Sequence, residues 1–126
     1  MLEKAASRKI YDRLEQGEIV DHLTHLRRKY DLVVAADVLI YFGDLLPVFK
    51  AVYEVLRYGA LTVFSVEKGD TERYRLRSTG RYQHRPSYVA EIAQIAGFET
   101  LCCQETTLRL QDGRPVIAAI FVLRRL

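Results

Sequence analysis

YDLVVAADVLIYFGDLLPVFKAVYEVLRYGALTVFSVEK, residues Tyr30–Lys68, is the stretch whose reading decides the fold. Leu32–Ile40 (LVVAADVLI) is almost wholly apolar and rich in β-branched residues, as expected of a strand covered on both faces. Asp37 falls near its carboxyl end. Asp44 is suited to cap the next helix, and Pro47 falls in that helix's first turn, where a missing N–H is harmless. Leu45, Val48, Phe49, Val52, Val55 and Leu56 recur at helical spacing, and Gly59 is the expected stop. Ala60–Val66 reads as the next buried strand. Strand, helix and strand at this spacing predict a right-handed parallel crossover, one half of a doubly wound α/β sheet.

Working outward from this unit, the N-terminal side is weaker. Met1–Arg8 (MLEKAASR) has helix-forming composition, with Leu2, Ala5 and Ala6 on one face. A short strand is expected near Arg13–Gln16, then a turn at Gly17. Ile19, Leu23 and Leu26 predict a helix over Ile19–Arg28. On the C-terminal side, Asp70–Gly80 is polar and basic. Pro86 opens another helix, with Val89, Ile92, Ala93 and Ala96 inside and Gly97 after its end. Phe98–Leu110 and Pro115–Leu123 flank QDGR (Gln111–Arg114), a hairpin signal. The expected order is helix, weak strand, helix, strand, helix, strand, helix, hairpin.

The bulk numbers agree with one ordered domain spanning residues 1–126. A chain of 126 residues has room for one core and not two. At 49% hydrophobic and 28% charged it lacks the signature of disorder. The net charge of +3 permits an anionic partner without demanding one. Cys102 and Cys103 are neighbours, and neighbours in a strand point to opposite faces, so they are poorly placed to bridge each other. The absence of a disulfide framework suits a reducing cytoplasm. No apolar run is long enough for a signal peptide or a membrane span.

The ordered words MLEKA (Met1–Ala5), YDRL (Tyr11–Leu14), YDLVVAADVLIYFGDL (Tyr30–Leu45), LTVFSVE (Leu61–Glu67), GRYQHRPSYV (Gly80–Val89), AGFE (Ala96–Glu99) and DGRPV with the final LRR cover nearly the whole chain. Together they resemble the C-terminal two-thirds of class I S-adenosylmethionine-dependent methyltransferases. The resemblance is strongest to predicted bacterial methyltransferase domains often fused to tetratricopeptide repeats. It implies a Rossmann-like, mostly parallel sheet closed by an antiparallel hairpin, and methyl transfer from S-adenosylmethionine. It also implies a glycine-rich loop after a first strand and an acidic residue that holds the ribose hydroxyls. Neither occurs in these 126 residues, so the family's N-terminal strand–helix–strand is absent from them. The expectation is therefore a fragment or a degenerate relative, truncated and weakly active or inactive, with an apolar edge on the Leu32–Ile40 strand that favours self-association.

The resemblance also distributes roles. Ala35, Ala36 and Asp37 would border the methionine end of the cofactor, where small residues let a ligand approach the backbone. Glu18 falls where the family has an acidic residue near the adenine amino group, and Ile19 would pack on the adenine face. Tyr41 and Phe42 would wall the acceptor pocket. His84, with Tyr82 beside it, is the candidate general base, because an unperturbed imidazole titrates near neutrality.

Each of these residues has a plainer reading. Asp37 would cap a turn, Glu18 would sit at a helix start, one of Tyr41 and Phe42 would be core, and His84 would be a solvated loop histidine. His22 and His25 share a helix face, but no further ligands complete a metal site. RYRLR (Arg73–Arg77), with Arg81, Arg85, Tyr82 and Tyr88, has the ingredients of an RNA or phosphate surface, or simply of a solvated strand face. Two functions compete on the sequence: methyl transfer to an unidentified acceptor, and a non-catalytic interaction or RNA-binding module on the same fold.

Overall fold

The computed structural model describes residues 17–70 and 72–126. The expected helix at Met1–Arg8 and the weak strand near Arg13–Gln16 lie outside them. The described elements are α1 (Ile19–His25), β1 (Tyr30–Ala35), a 3-10 turn (Leu39–Tyr41), α2 (Leu46–Val55), β2 (Leu56–Lys68), β3 (Tyr74–Leu76), β4 (Tyr82–His84), α3 (Pro86–Ala96), β5 (Phe98–Gln111) and β6 (Arg114–Arg125).

They form one sheet in the order β3-β4-β2-β6-β5, with β1 also paired to β2. β1 and β4 lie along the same side of β2, both parallel to it, at successive levels. β6 runs antiparallel along the other side of β2, and β5 antiparallel to β6. The parallel crossover and the closing hairpin are thus both present. The hairpin turns at Asp112 and Gly113, both in the left-handed region (φ 52° and 76°), as a tight primed turn requires.

Register divides the sheet into two faces. Val33, Thr62 and Leu123 are cross-strand neighbours, as are Ala35, Phe64 and Phe121. This face meets α2 and α3 in the core, where Phe49 packs on Phe64 and Phe98, and Phe64 stacks on Phe121 with ring centroids 5.4 Å apart. Pro47 sits in the first turn of α2 as expected, and Asp44 accepts from the Leu46 amide at 3.0 Å. Val89 and Ala93 of α3 are buried against the same cluster, and Gly97 ends that helix in the left-handed region. The opposite face carries Leu32 and Val34, which are 52% and 62% exposed. Among the described residues, β1 has no second strand on its outer edge.

Several elements differ from the sequence reading: the helix expected over Ile19–Arg28 ends at His25, and the short strands β3 and β4 are additional to the expected order. The strand expected over Leu32–Ile40 ends at Ala35; Leu39 and Ile40 are buried in the 3-10 turn instead. An apolar run continues unbroken from strand into turn, so composition alone does not mark the break. Helix α2 ends at Val55 rather than at Gly59, because Leu56 is already extended (φ −96°, ψ 143°). Between the pairs Tyr30↔Leu56 and Leu32↔Leu61, β2 advances five residues while β1 advances two. Gly59, at φ 78°, lies in that excursion of β2.

Candidate functional site

The carboxyl end of β1 is where the sheet stops and the chain must turn. Asp37 makes the turn at φ 55°, in the left-handed region that aspartate tolerates better than most residues. Its amide donates to Ser65 Oγ on β2 at 3.5 Å, a long bond that ties the turn to the neighbouring strand. Ala35 is half-buried, while Ala36 and Asp37 are exposed. The Asp37 carboxylate has no hydrogen bond or ion pair among the described residues. It lies at the carboxyl end of a parallel strand.

The 3-10 turn then sets Tyr41 into solvent, 66% exposed, and lays Phe42 against the core. This division into one loop aromatic and one core aromatic matches the plainer reading of the pair. Gly43 follows under the β3–β4 hairpin. A Cβ there would sit 2.8 Å from the Tyr74 ring and 2.9 Å from the Tyr82 ring, so the close approach needs glycine.

His84 is not a solvated loop residue. It is fully buried at the end of β4, among Tyr74, Tyr82 and Tyr88, and stacked on Tyr88 at an interplanar angle of 9°. Its Nε2 donates to the Gly43 carbonyl at 3.1 Å. Nδ1, also buried, has no hydrogen-bond partner among the described residues. Burial lowers its pKa, while the bond to the Gly43 carbonyl opposes that shift. A neutral ring with no exposed nitrogen is a positioning element for the Phe42–Gly43 loop. Tyr82, half-buried, packs edge-on to Tyr74 with centroids 6.1 Å apart.

Glu18 caps α1. Its carboxylate oxygens accept from the Val20 amide at 3.1 Å and the Asp21 amide at 2.6 Å. Each oxygen retains a lone pair for another donor. Ile19 is 37% exposed beside it. The helix packs mainly on α2. The structure therefore joins Ala35, Ala36, Asp37, Tyr41 and Phe42 into one strand-end loop. Tyr82 and His84 lie beneath it, and Glu18 with Ile19 stand on another element.

Two residues were not singled out in the sequence reading. Ser65 holds the Asp37 turn. Glu67, two residues further along β2, is buried at 4% exposure and sits 3.5 Å from both Arg81 and Arg109. The signal was a carboxylate ending the apolar strand LTVFSVE. Glu67 opens onto a cleft of about 650 Å³ between the β3–β4 and β5–β6 turns, lined also by Lys68, Arg77, Gln83 and Arg114. Lys68 pairs with Glu105 at 3.0 Å, which raises its pKa. Among the described residues no group of three or more His, Cys, Asp or Glu is arranged to hold a metal ion. No described helix is long and apolar enough to cross a membrane.

This architecture, a crossover sheet closed by a hairpin with its open loops at the carboxyl end of β1, is the fold of S-adenosylmethionine-dependent methyltransferases. The N-methyltransferase NodS of Bradyrhizobium japonicum, solved with S-adenosylhomocysteine, superposes with a TM-score of 0.73 at 17% identity, over 98% of this chain and 61% of its own. A methyltransferase of Methanosarcina mazei gives 0.69 at 16%, over 99% and 76%. The [4+2]-cyclase SpnF gives 0.77 at 13%, over 98% and 60%. The chain spans between 45% and 76% of the length of such neighbours. No protein-family model and no curated protein matches the sequence.

Proposed function

We propose that this chain forms the methionine-side and acceptor-side wall of an S-adenosylmethionine-dependent methyltransferase cleft. The observation that carries this reading is the Asp37 carboxylate, without a partner among the described residues, on its left-handed turn at the strand end, within a fold shared by proteins solved with S-adenosylmethionine or S-adenosylhomocysteine. Ala36 leaves the backbone open to a ligand, and Asp37 would take the amino group of the methionine part. Glu18 would accept from the adenine amine with its spare lone pairs, and Ile19 would cover the ring. When bound, the cofactor supplies an electrophilic methyl on a sulfonium. The chain's own part is to orient: transfer by direct displacement draws its rate from proximity and alignment, and needs no dedicated base. Tyr41 would border the acceptor. The buried His84 supports the loop from beneath and takes no proton from the acceptor.

The groups that hold the ribose in this fold are not among these residues, so the expected affinity for cofactor is weak. The test is a nuclear magnetic resonance titration of the chain with S-adenosylhomocysteine. Perturbations should concentrate at Ala35–Phe42 and at Glu18–Ile19, and Asp37→Ala should weaken them. A titration to solubility that moves none of these signals would overturn the reading.

A second reading, an interaction module without catalysis, draws on the exposed Leu32 and Val34 of β1, whose outer edge carries no strand among the described residues.

A further inference from the structure

The β3–β4 hairpin repeats one residue type on one face. Its ladder pairs Tyr74 with His84, Arg75 with Gln83 and Leu76 with Tyr82, and the bond from the Arg77 amide to the Arg81 carbonyl continues it. Gln83 is in turn the cross-strand neighbour of Glu67. Side chains alternate along a strand, so Arg75, Arg77 and Arg81 share the face of Glu67, and the Arg81–Glu67 ion pair fits that assignment. Arg109 of β5 reaches Glu67 from the other side.

Two guanidinium groups, those of Arg81 and Arg109, thus meet one buried carboxylate, and Arg75 and Arg77 share its sheet face. Arg77 and Arg81 stand directly opposite each other, an arrangement that costs stability when nothing neutralises it. Arg75 and Arg77 have no ion-pair partner among the described residues. The cleft is not uniformly basic: Asp70 and Asp112 lie at its rim with Arg114, and Lys68 is matched by Glu105. The unbalanced charge is the arginine row itself.

We infer that this row and cleft bind a small anion, a phosphate or carboxylate group carried by the methyl acceptor. Arginine's planar fork suits either group. The placement suits an acceptor. Ser65, which ties down the Asp37 turn, lies on the same strand face two residues before Glu67, roughly 7 Å away. A molecule anchored by its anion on Arg75 and Arg77 reaches back along this face to the loop of Asp37 and Tyr41. Glu67 holds Arg81 and Arg109 in place and tempers their charge. A small ligand is favoured over nucleic acid because Arg77, with Arg114, lines a cleft between two turns rather than a continuous basic track. The acceptor role rests on the methyltransferase reading; the anion site does not.

The test titrates the full chain with inorganic phosphate, with succinate and with a short single-stranded RNA at low ionic strength. Phosphate or succinate should bind saturably, and Arg77→Gln should weaken that binding about fivefold. Glu67→Gln should strengthen it about as much, by releasing two guanidiniums from a competing carboxylate. A fold merely damaged at Glu67 gives the opposite sign. Should Glu67→Gln fail to fold, Arg75→Gln with Arg77→Gln must abolish binding. The inference is overturned if neither small anion saturates, if the arginine variants bind unchanged, or if RNA binds and phosphate does not compete. The S-adenosylhomocysteine titration separates the two ideas: anion binding without cofactor binding keeps the site and removes its role in methyl transfer.

Discussion

Replacing His84 with leucine should remove an acid-sensitive part of the stability of this protein. The folded ring is fully buried, with Nε2 committed to the Gly43 carbonyl and Nδ1 facing no donor. The titratable groups against it are the phenols of Tyr74, Tyr82 and Tyr88, none of which offers a carboxylate to a protonated imidazole. Burial therefore holds its folded pKa below the unfolded value, which is 6.5. As pH falls through the unfolded value, the unfolded chain takes up a proton that the folded chain refuses. Unfolding is then favoured, until pH reaches the lower folded pKa. The slope approaches about 1.4 kcal/mol per pH unit, and the loss between pH 7 and pH 5.5 is up to about 1 kcal/mol. The assay is urea unfolding across that range, where such a loss lowers the midpoint by about 0.5 M. Every other ionisable group is common to both proteins, so the difference between wild type and His84→Leu isolates His84. At pH 7 the variant itself should be weaker by about 1 kcal/mol, because Gly43 loses its donor. Midpoints of the two proteins that fall in parallel from pH 7 to 5.5 would refute the argument.

Gly97→Ala should destabilise the chain by about 2 kcal/mol or more, since φ is 106° and the new Cβ would lie 2.6 Å from the Tyr53 ring. The Tyr53 ring is held by the Arg125 guanidinium 4.1 Å above it and by its hydroxyl bond to the Leu126 carbonyl, so it cannot easily retreat; thermal unfolding measures the cost. Val34→Lys, at a position 62% exposed on the open edge, should change stability by less than about 0.5 kcal/mol yet reduce self-association in sedimentation equilibrium. A wild-type chain that stays monomeric at high concentration would remove the reason for that second effect.

The strand–helix–strand unit and the closing hairpin were legible because each has its own physical signature. Leu45–Leu56 carries a helical stripe, and QDGR supplies residues that tolerate the left-handed turn seen at Asp112 and Gly113. The placement of AADVLIYF at the carboxyl end of a parallel strand was legible from the apolar run that precedes it. The end of β1 was not legible, because LVVAADVLI stays apolar whether its last residues extend or coil into the 3-10 turn. Tertiary packing chose the second by burying Leu39 and Ile40.

By itself, then, the sequence determined the order of the crossover, of α3 and of the closing hairpin, because apolar periodicity is a property of neighbours along the chain; the three-residue strands β3 and β4 carry too little of it to show. Only the tertiary structure decided what faces what. It put His84 in the core under Gly43, and it drew Arg81 from β4's approach and Arg109 from β5 onto Glu67. Those meetings depend on strand register and on which sides of β2 its neighbours occupy. No local pattern encodes a cross-strand pair whose members lie tens of residues apart.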